Sequence, residues 1–423
     1  MMKAIMDDRM KSNKNKSGFE KTVLKNELRI ISERVKDTQS FALGIAVSAG
    51  SKSDPKKLEG LTHFMEHILF RRTQNHTGKQ IVTAFEQIGA YVNAYTTKDH
   101  TCFYVRALNT HLEECFNLLS EIVLHPKITE ADVKKERGII IEEIKSYEDD
   151  PEEIIFDIGE SVIFKGSSLS HPVSGYVESV KRIDAKSLRQ FHSDHYVPGN
   201  IIISFAGKQA HDEIVDLSKK LKFDFKTGQL TDTETPVTVK PKKIIRKKQY
   251  QQSHFLLTRK VDGMESEDRY PLAILNSILG DGMSSRLNQL LRENLGYVYT
   301  VYSTISLLKD CGTLSIYAAA EQNKIEKING IIRKELLKIF RNNLTEKEIA
   351  RAKEQIKSST IMVLEGMSSR MQALIKSEIS LGRYESIEET IKDIDRITAG
   401  QVFRTAKKYL VPDDWSEVRL LSK

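Results

Sequence analysis

The sequence predicts an α+β protein built from two homologous domains, and three observations predict it. The chain has 423 residues, about three times the usual domain length, so two or three domains are expected and one small domain is excluded. Segments with strand-like β-branched and aromatic character recur beside segments with helical period in both halves. The chain is also self-similar. Ile128-Thr129-Glu130-Ala131-Asp132-Val133 faces Leu344-Thr345-Glu346-Lys347-Glu348-Ile349 at an offset of 216 (344 − 128), each a Thr N-cap with an acid three residues on. LTHFMEHILF (61–70) faces LAILNSILGD (272–281) at an offset of 211 (272 − 61), and CFYVRAL from Cys102 has a looser counterpart in GTLSIYA from Gly312. Three pairs in the same order, at offsets close to half of 423, indicate a duplicated domain.

Taken in order, the first 18 residues (MMKAIMDDRMKSNKNKSG) are polar and carry no apolar signal core, and Asp7 and Asp8 argue against a mitochondrial transit peptide. Residues 1–24 are expected to be a disordered leader. In 25–225, the first domain, strands are expected at 41–48, 91–97 and 101–108, and helices at 57–71, 79–88, 111–124 and 131–147. Residues 226–248 (TGQLTDTETPVTVKPKKIIRKK follows Lys226) are polar, Thr-rich and Pro-containing, and read as a linker. In 249–423, the second domain, strands are expected near 254–260, 298–307 and 312–318, with long helices from Lys324 onward.

Composition narrows the function classes. With 39% hydrophobic residues and 9 prolines the chain can bury sizeable cores. No apolar stretch approaches the roughly 18 residues of a membrane span, so no membrane partner is expected. The net charge of +7 is modest for this length, and the basic run KPKKIIRKK (240–248) has no interleaved aromatics for stacking, so no nucleic acid is expected either. Cys102, Cys115 and Cys311 lack CxxC spacing and leave one thiol over in any disulfide scheme, which suits a reducing, cytoplasmic setting.

The chemistry-bearing segment is Leu61-Thr62-His63-Phe64-Met65-Glu66-His67-Ile68-Leu69-Phe70, which contains H-x-x-E-H. On a helix His67 lies about 40° round from His63, so both imidazoles share one face, with Glu66 about 60° to the other side. The remaining residues are apolar in nearly every direction, so the helix is expected to be buried. Two His at i and i+4 are a zinc-ligand spacing; a pair of hydrogen-bonded core histidines is the bland alternative, and the pattern arises by chance roughly 0.04 times in such a chain. A further ligand source is the helix ADVKKERGIIIEEIKSY (131–147), where Ile139, Ile140, Glu143 and Tyr147 all fall within about 60° of Glu136 and Glu142 points away. Two carboxylates on an apolar face beside two histidines in need of partners read as one site.

These residues resemble the inverted zinc peptidases of the pitrilysin and insulinase clan, M16, whose signature is H-x-x-E-H followed by a distal Glu. In that family the distal ligand follows the second His by 76 residues and another acid precedes it by seven; here 143 − 67 = 76 and 143 − 136 = 7. GAYVNAYTTKDHTCFYVRAL (89–108), FHSDHYVPGNIIISFAG (191–207) and GDGMSSRLNQLLRENLGYVYTVYS (280–303) are similar to further family segments, so nearly the whole chain from about residue 25 is covered. The size resembles the M16B subgroup, which includes bacterial zinc proteases and the β subunit of mitochondrial processing peptidase.

The resemblance implies the LuxS/processing-peptidase-like metallohydrolase fold, each domain a mixed, largely antiparallel sheet packed with helices. It implies a zinc metalloendopeptidase with one zinc per chain, held by His63, His67 and Glu143 with a fourth position for water, Glu66 as the base and Glu136 as an acid behind the ligands. Asn93 and Ala94 would lie on the strand that pairs with an extended peptide, and Arg292 and Tyr299 would bind substrate carbonyls or the developing oxyanion. Two chains would close a chamber around peptide substrates, as a homodimer or as a heterodimer with a paralogue. The rival is a non-catalytic structural subunit of such a pair, which loss of motif residues would mark. The first half has lost none. At the corresponding positions the second half has Ile274, Ser277 and Ile278, with Ala352 and Ser359 for the two helix acids, so one active site per chain is expected. A zinc hydrolase that does not cut peptides is a third reading. His192 and His195 read as a helix-end pair, Gly280-Asp281-Gly282-Met283 lacks the Lys-Ser/Thr of a phosphate loop, and Cys102 reads as core.

Overall fold

The computed structural model describes residues 9–14, 18–223, 240–341 and 344–423. The protein is α+β with two mixed sheets. The first has seven strands: β1 (Arg9–Lys14), β2 (Phe19–Leu24), β3 (Arg29–Arg34), β4 (Ser40–Val47), β5 (Tyr91–Thr96), β6 (Thr101–Leu108) and β7 (Ile201–Gly207), in the order β1-β2-β3-β7-β4-β6-β5. The second has five: β8 (Lys243–Lys248), β9 (Ser253–Asp262), β10 (Thr300–Leu307), β11 (Cys311–Ala320) and β12 (Ser416–Ser422), in the order β10-β11-β9-β12-β8.

Beneath the weak sequence repeat lies a shared topology. In the first sheet β3 runs parallel to β7, and β7, β4, β6 and β5 follow antiparallel. In the second, β8 runs parallel to β12, and β12, β9, β11 and β10 follow antiparallel. The capping pairs repeat as well. Thr129 Oγ1 accepts from Asp132 N and donates to its carboxylate at 2.6 Å, and Thr345 does the same with Glu348 at 2.8 Å. Each of these acids also receives an arginine, Arg72 at 3.1 Å for Asp132 and Arg286 at 2.7 Å for Glu348.

The chain divides into two compact units, Met1–Ile144 with Pro172–Thr233 and Leu364–Tyr384, and Lys145–His171 with Glu234–Val363 and Glu385–Lys423. Neither is one continuous stretch, unlike the expected domains of 25–225 and 249–423. The physical reason is that a sheet has two faces to cover. In the first unit one face packs on the local helices, through Phe64, Met65, Phe116 and Leu119, while the other presents Phe19, Ile31, Ala42, Ala46, Cys102 and Ala206 to Met371, Leu374 and Ile375 of the helix Met367–Leu381. Gly44 of β4 permits that approach, since a Cβ there would sit 2.4 Å from Met371 Sδ. In the second unit the helix Pro151–Ile163 covers Leu256, Tyr317, Val418 and Leu420, and a Cβ on Gly159 would come within 2.8 Å of Leu256. Hydrophobic period marks a face that must be buried but not which sheet buries it.

Two local expectations are corrected. The leader 1–24 carries β1 and β2: Phe19 is buried and stacks on Tyr384 at 4.2 Å, Thr22 Oγ1 lies 2.9 Å from His211 Nε2, and Lys21 pairs with Glu378 at 2.7 Å. Of the linker 226–248, residues 226–239 lie outside the described residues, whereas Lys243–Lys248 is an edge strand held by β12 and mostly exposed. Its lysines and arginine are what an uncovered strand edge tolerates. Among the described residues no helix is long and apolar enough to cross a membrane.

Candidate metal centre

His63, Glu66 and His67 lie on the helix Leu61–Leu69, whose other side chains from Leu61 to Leu69 are all buried. The helix starts from Gly60 in the left-handed region, φ 93, where a Cβ would meet Ser174 O at 2.4 Å. Gly60 brings no side chain to cap the helix, and Asp54 does so from outside it: Oδ2 accepts from Gly60 N at 2.6 Å, and Oδ1 accepts from Thr62 N at 2.8 Å and Thr62 Oγ1 at 2.5 Å. Burial pushes the Asp54 carboxyl up to about 7 against these hydrogen bonds. The expectation of a helix buried all round needs correction. His63, Glu66 and His67 share its one uncovered strip, with the His63 and His67 side chains 12% and 22% exposed.

Facing them is the helix Glu130–Glu148, which buries Val133, Glu136, Ile140 and Ile144. Ile139 and Tyr147 are exposed, contrary to the face expected from the sequence. The buried stripe is centred near Ile140, about 40° round from Glu136, which leaves Ile139 on the open side, and Tyr147 lies in the last turn. Glu142 is exposed, as its direction required.

His63 Nε2 lies 3.8 Å from Glu143 Oε1, and His67 Nε2 lies 3.4 Å from Glu143 Oε2. One ligand atom from each of the three lies within 4.8 Å of the others, and among the described residues this is the one such cluster of His, Cys, Asp and Glu. Glu136 sits behind it. Its Oε1 is 3.1 Å from His67 Nδ1, and its Oε2 accepts from Arg71 Nε. Burial pushes the Glu136 carboxyl up, but the hydrogen bonds of His67 and Arg71 outweigh this and hold it below its ordinary value. An ionised Glu136 accepts, so His67 Nδ1 donates and Nε2 is the ring nitrogen turned to Glu143. Burial, with the charge of His67, depresses the His63 imidazole to about 3, so it is neutral. His67 moves the other way, because Glu136, Glu143 and Glu66 outweigh its burial.

These donors fit zinc: two imidazole nitrogens and a carboxylate converge, the His63 ring is held neutral, the His67 ring would give up its Nε2 proton to a bound metal, and an acid fixes the far side of that ring. His63 Nδ1 is buried without a hydrogen-bond partner among the described residues, so the His63 ring lacks the far-side brace that Glu136 gives His67.

Glu66 is placed by Thr96, which lies in the family-like segment 89–108 but to which the sequence assigns no role. Thr96 Oγ1, at the end of β5, donates to Glu66 Oε2 at 2.6 Å. Burial raises the Glu66 carboxyl, Thr96 and the charge of His67 pull it back, and the Glu143 charge adds to the rise. Thr96 carries no local signal, since its partner is 30 residues away. Arg71, four residues after His67, could have been found by helical spacing. Asn93 and Ala94 lie on β5, the last strand of its sheet, and Asn93 Oδ1 accepts from Ala94 N at 2.8 Å. Arg292 and Tyr299 belong to the second unit, with the Arg292 guanidinium 5.9 Å from the Tyr299 ring centre and Tyr299 76% exposed. His192 bonds the Val123 carbonyl at 2.9 Å near the end of its helix, and Cys102 is fully buried. In the second unit Ile274, Ser277 and Ile278 are buried on the helix Arg269–Leu279 and offer no ligand set.

Residues 29–176 match the family described as insulinase, peptidase family M16, and residues 182–356 match the peptidase M16 inactive domain. An uncharacterized zinc protease of Bacillus subtilis, YmxG, is 33% identical over 388 residues, 92% of this chain and 95% of that protein. One from Mycobacterium leprae is 32% identical over 400 residues, 93% of this chain and 90% of its own. The crystal structure of a protease from Helicobacter pylori shares the fold with a TM-score of 0.88 at 21% identity, over 95% of this chain and 99% of the other. A peptidase M16 inactive domain from Pseudomonas fluorescens does so with a TM-score of 0.89 at 18% identity, over 96% and 98%.

Proposed function

The chain belongs to the insulinase family of peptidases, M16, and from that premise we propose that it is a zinc-dependent endopeptidase acting on peptides or unfolded polypeptides. The observation that carries the reading is the convergence of His63 Nε2, His67 Nε2 and the Glu143 carboxylate on one point beside Glu66. Zinc bound there supplies Lewis acidity to a water and to the scissile carbonyl. Glu66 takes the proton of the attacking water and passes it to the leaving amine, a task suited to a carboxyl that burial raises. Glu136 transfers no proton: it holds His67 through Nδ1 and is itself held by Arg71. The outer edge of β5, at Asn93 and Ala94, receives the extended peptide by strand addition, and Arg292 with Tyr299 of a second copy of the chain binds its carbonyls. The subgroup is M16B, and two chains enclose the substrate.

Relatives named zinc proteases support this reading. The rival, a non-catalytic subunit, draws on the match of the second half to a domain described as inactive. That half lacks the ligands in any case, and the first half keeps all of them. Metal analysis joined to an unbiased peptide-library digest, with and without chelator, tests the proposal. Zinc-loaded protein that cuts nothing, alone or with a paralogue, would favour the rival.

A further inference from the structure

The strand that is open to a peptide and the residue that would act as base meet at one hydrogen bond. Thr96 is the last residue of β5, and its backbone is fixed by pairing with Thr101 of β6. Thr101 is itself buried, and its Oγ1 donates to Ala49 O at 2.9 Å, so the end of the strand is held from behind. From this anchored position Thr96 Oγ1 donates to Glu66 Oε2 at 2.6 Å, a short charge-assisted contact. Glu66 stands alone on its helix in this respect. Asp54 caps the helix start, Glu136 braces His67, and Thr96 is what braces Glu66.

A glutamate has three side-chain torsions, and a base must present one oxygen in one direction. With Oε2 engaged by Thr96, Oε1 is the freer of the two oxygens to accept a proton. We propose that Thr96 is a positioning residue, which fixes the Glu66 carboxylate in a single orientation and ties the base to the strand on which the peptide is laid. The proposal rests on the reading of Glu66 as the base. It adds that substrate strand and base keep a constant register, because one residue belongs to both. A threonine serves here because its β-branched side chain has few rotamers, so its hydroxyl points where the strand points it.

Thr96→Val removes the hydroxyl while keeping the shape. In the zinc-loaded full chain the expected result is a fall in kcat of roughly 10- to 100-fold, with KM within about twofold and zinc content unchanged. Thr96→Ser, which restores the donor, should recover most of kcat. A crystal structure of zinc-loaded Thr96→Val should show Glu66 turned from its wild-type orientation or without a single one. Wild-type kcat in Thr96→Val, or a loss carried by KM that Ser does not rescue, would overturn the proposal; so would Glu66 unmoved in that crystal structure. Absence of peptide cleavage by the wild-type protein would instead overturn the peptidase reading, and the orientation of Glu66 in the variant would still decide the role of Thr96.

Discussion

His67 Nδ1 lies 3.1 Å from Glu136 Oε1, and this contact settles which nitrogen of the ring is available to a ligand. The carboxylate is kept ionised by Arg71 on its other oxygen, so Nδ1 holds a proton and Nε2, 3.4 Å from Glu143, is the nitrogen left for a metal. Glu136 therefore acts on the metal centre through the histidine. The seven-residue step between Glu136 and Glu143 is two helical turns, which puts both acids on the same side of one helix at different depths.

Zinc retention follows from that geometry. Purified protein is expected to hold about one zinc per chain, and His67→Ala to lose most of it, because two remaining ligands bind far more weakly than three. Glu136→Gln leaves the ligand set whole but weakens the brace on His67, so zinc affinity should fall roughly 10- to 100-fold. Competition with a chromogenic chelator measures both. Stoichiometric zinc in His67→Ala would remove it from the ligand set.

Chemistry separates from binding at Glu66. Glu66→Gln keeps the shape and can still accept from Thr96, but it cannot take a proton. Zinc content should match wild type while turnover falls by a factor of about 10² or more. Near-normal cleavage would pass the role of base to another carboxylate, with Glu136 the first to examine.

The second unit carries a pH-dependent contribution of known sign. Glu348 is partly buried, which raises its carboxyl, but the Arg286 fork, 2.7 and 2.9 Å from its oxygens, and the Thr345 hydrogen bonds outweigh this and bring it to about 2. A carboxyl held below its unfolded value, here near 4.5, stabilises the native chain above that value and loses the effect as pH falls through the folded one. Glu348→Gln should cost about 1 kcal/mol at pH 6, a figure kept small because the pair borders solvent. The gap between wild type and variant in urea titrations should close as pH drops from about 4.5 to about 2. A gap that stays constant over this range would mean that packing, and not charge, gives Glu348 its value.

What could be read in the sequence was whatever local period or spacing encodes. His63 and His67 are four apart on one helix and Glu136 and Glu143 seven apart on another, so each pair announces a shared face. Thr96 and Asp54 announce nothing, because each reaches its partner across a fold that joins distant segments. The duplication was legible from three weak matches, and the shared strand order lies behind them. The helices Pro151–Ile163 and Met367–Leu381 were not assignable to a sheet, since an apolar stripe fits any apolar face of the right curvature. β2 escaped notice because six residues with the pattern FEKTVL, beside a lysine-rich stretch, dilute the alternation that marks a strand.

The assembly gives the last prediction, and it starts from an imbalance between the two halves. The first half holds the complete ligand set and Glu66, whereas the second half has Ile274, Ser277 and Ile278 at those positions yet keeps Arg292 and the exposed Tyr299. An exposed tyrosine with an arginine over its ring is a surface prepared for polar contact, and in the proposed two-chain chamber it serves the zinc site of the other copy. A chain that carries both sets can complement a second copy of itself, so a homodimer with two composite sites is expected. Glu66→Gln and Arg292→Ala should each be inactive as homodimers. Mixed in equal amounts under conditions that exchange subunits, they should recover roughly a quarter of wild-type activity, because about half the dimers are then mixed and each of those has one site that pairs a wild-type Glu66 with a wild-type Arg292. Sedimentation and mass spectrometry of isotopically labelled chains establish that exchange has occurred. No recovery after demonstrated exchange, or a fully active monomer, would place Arg292 in service of its own chain and leave the heterodimer with a paralogue as the remaining two-chain arrangement.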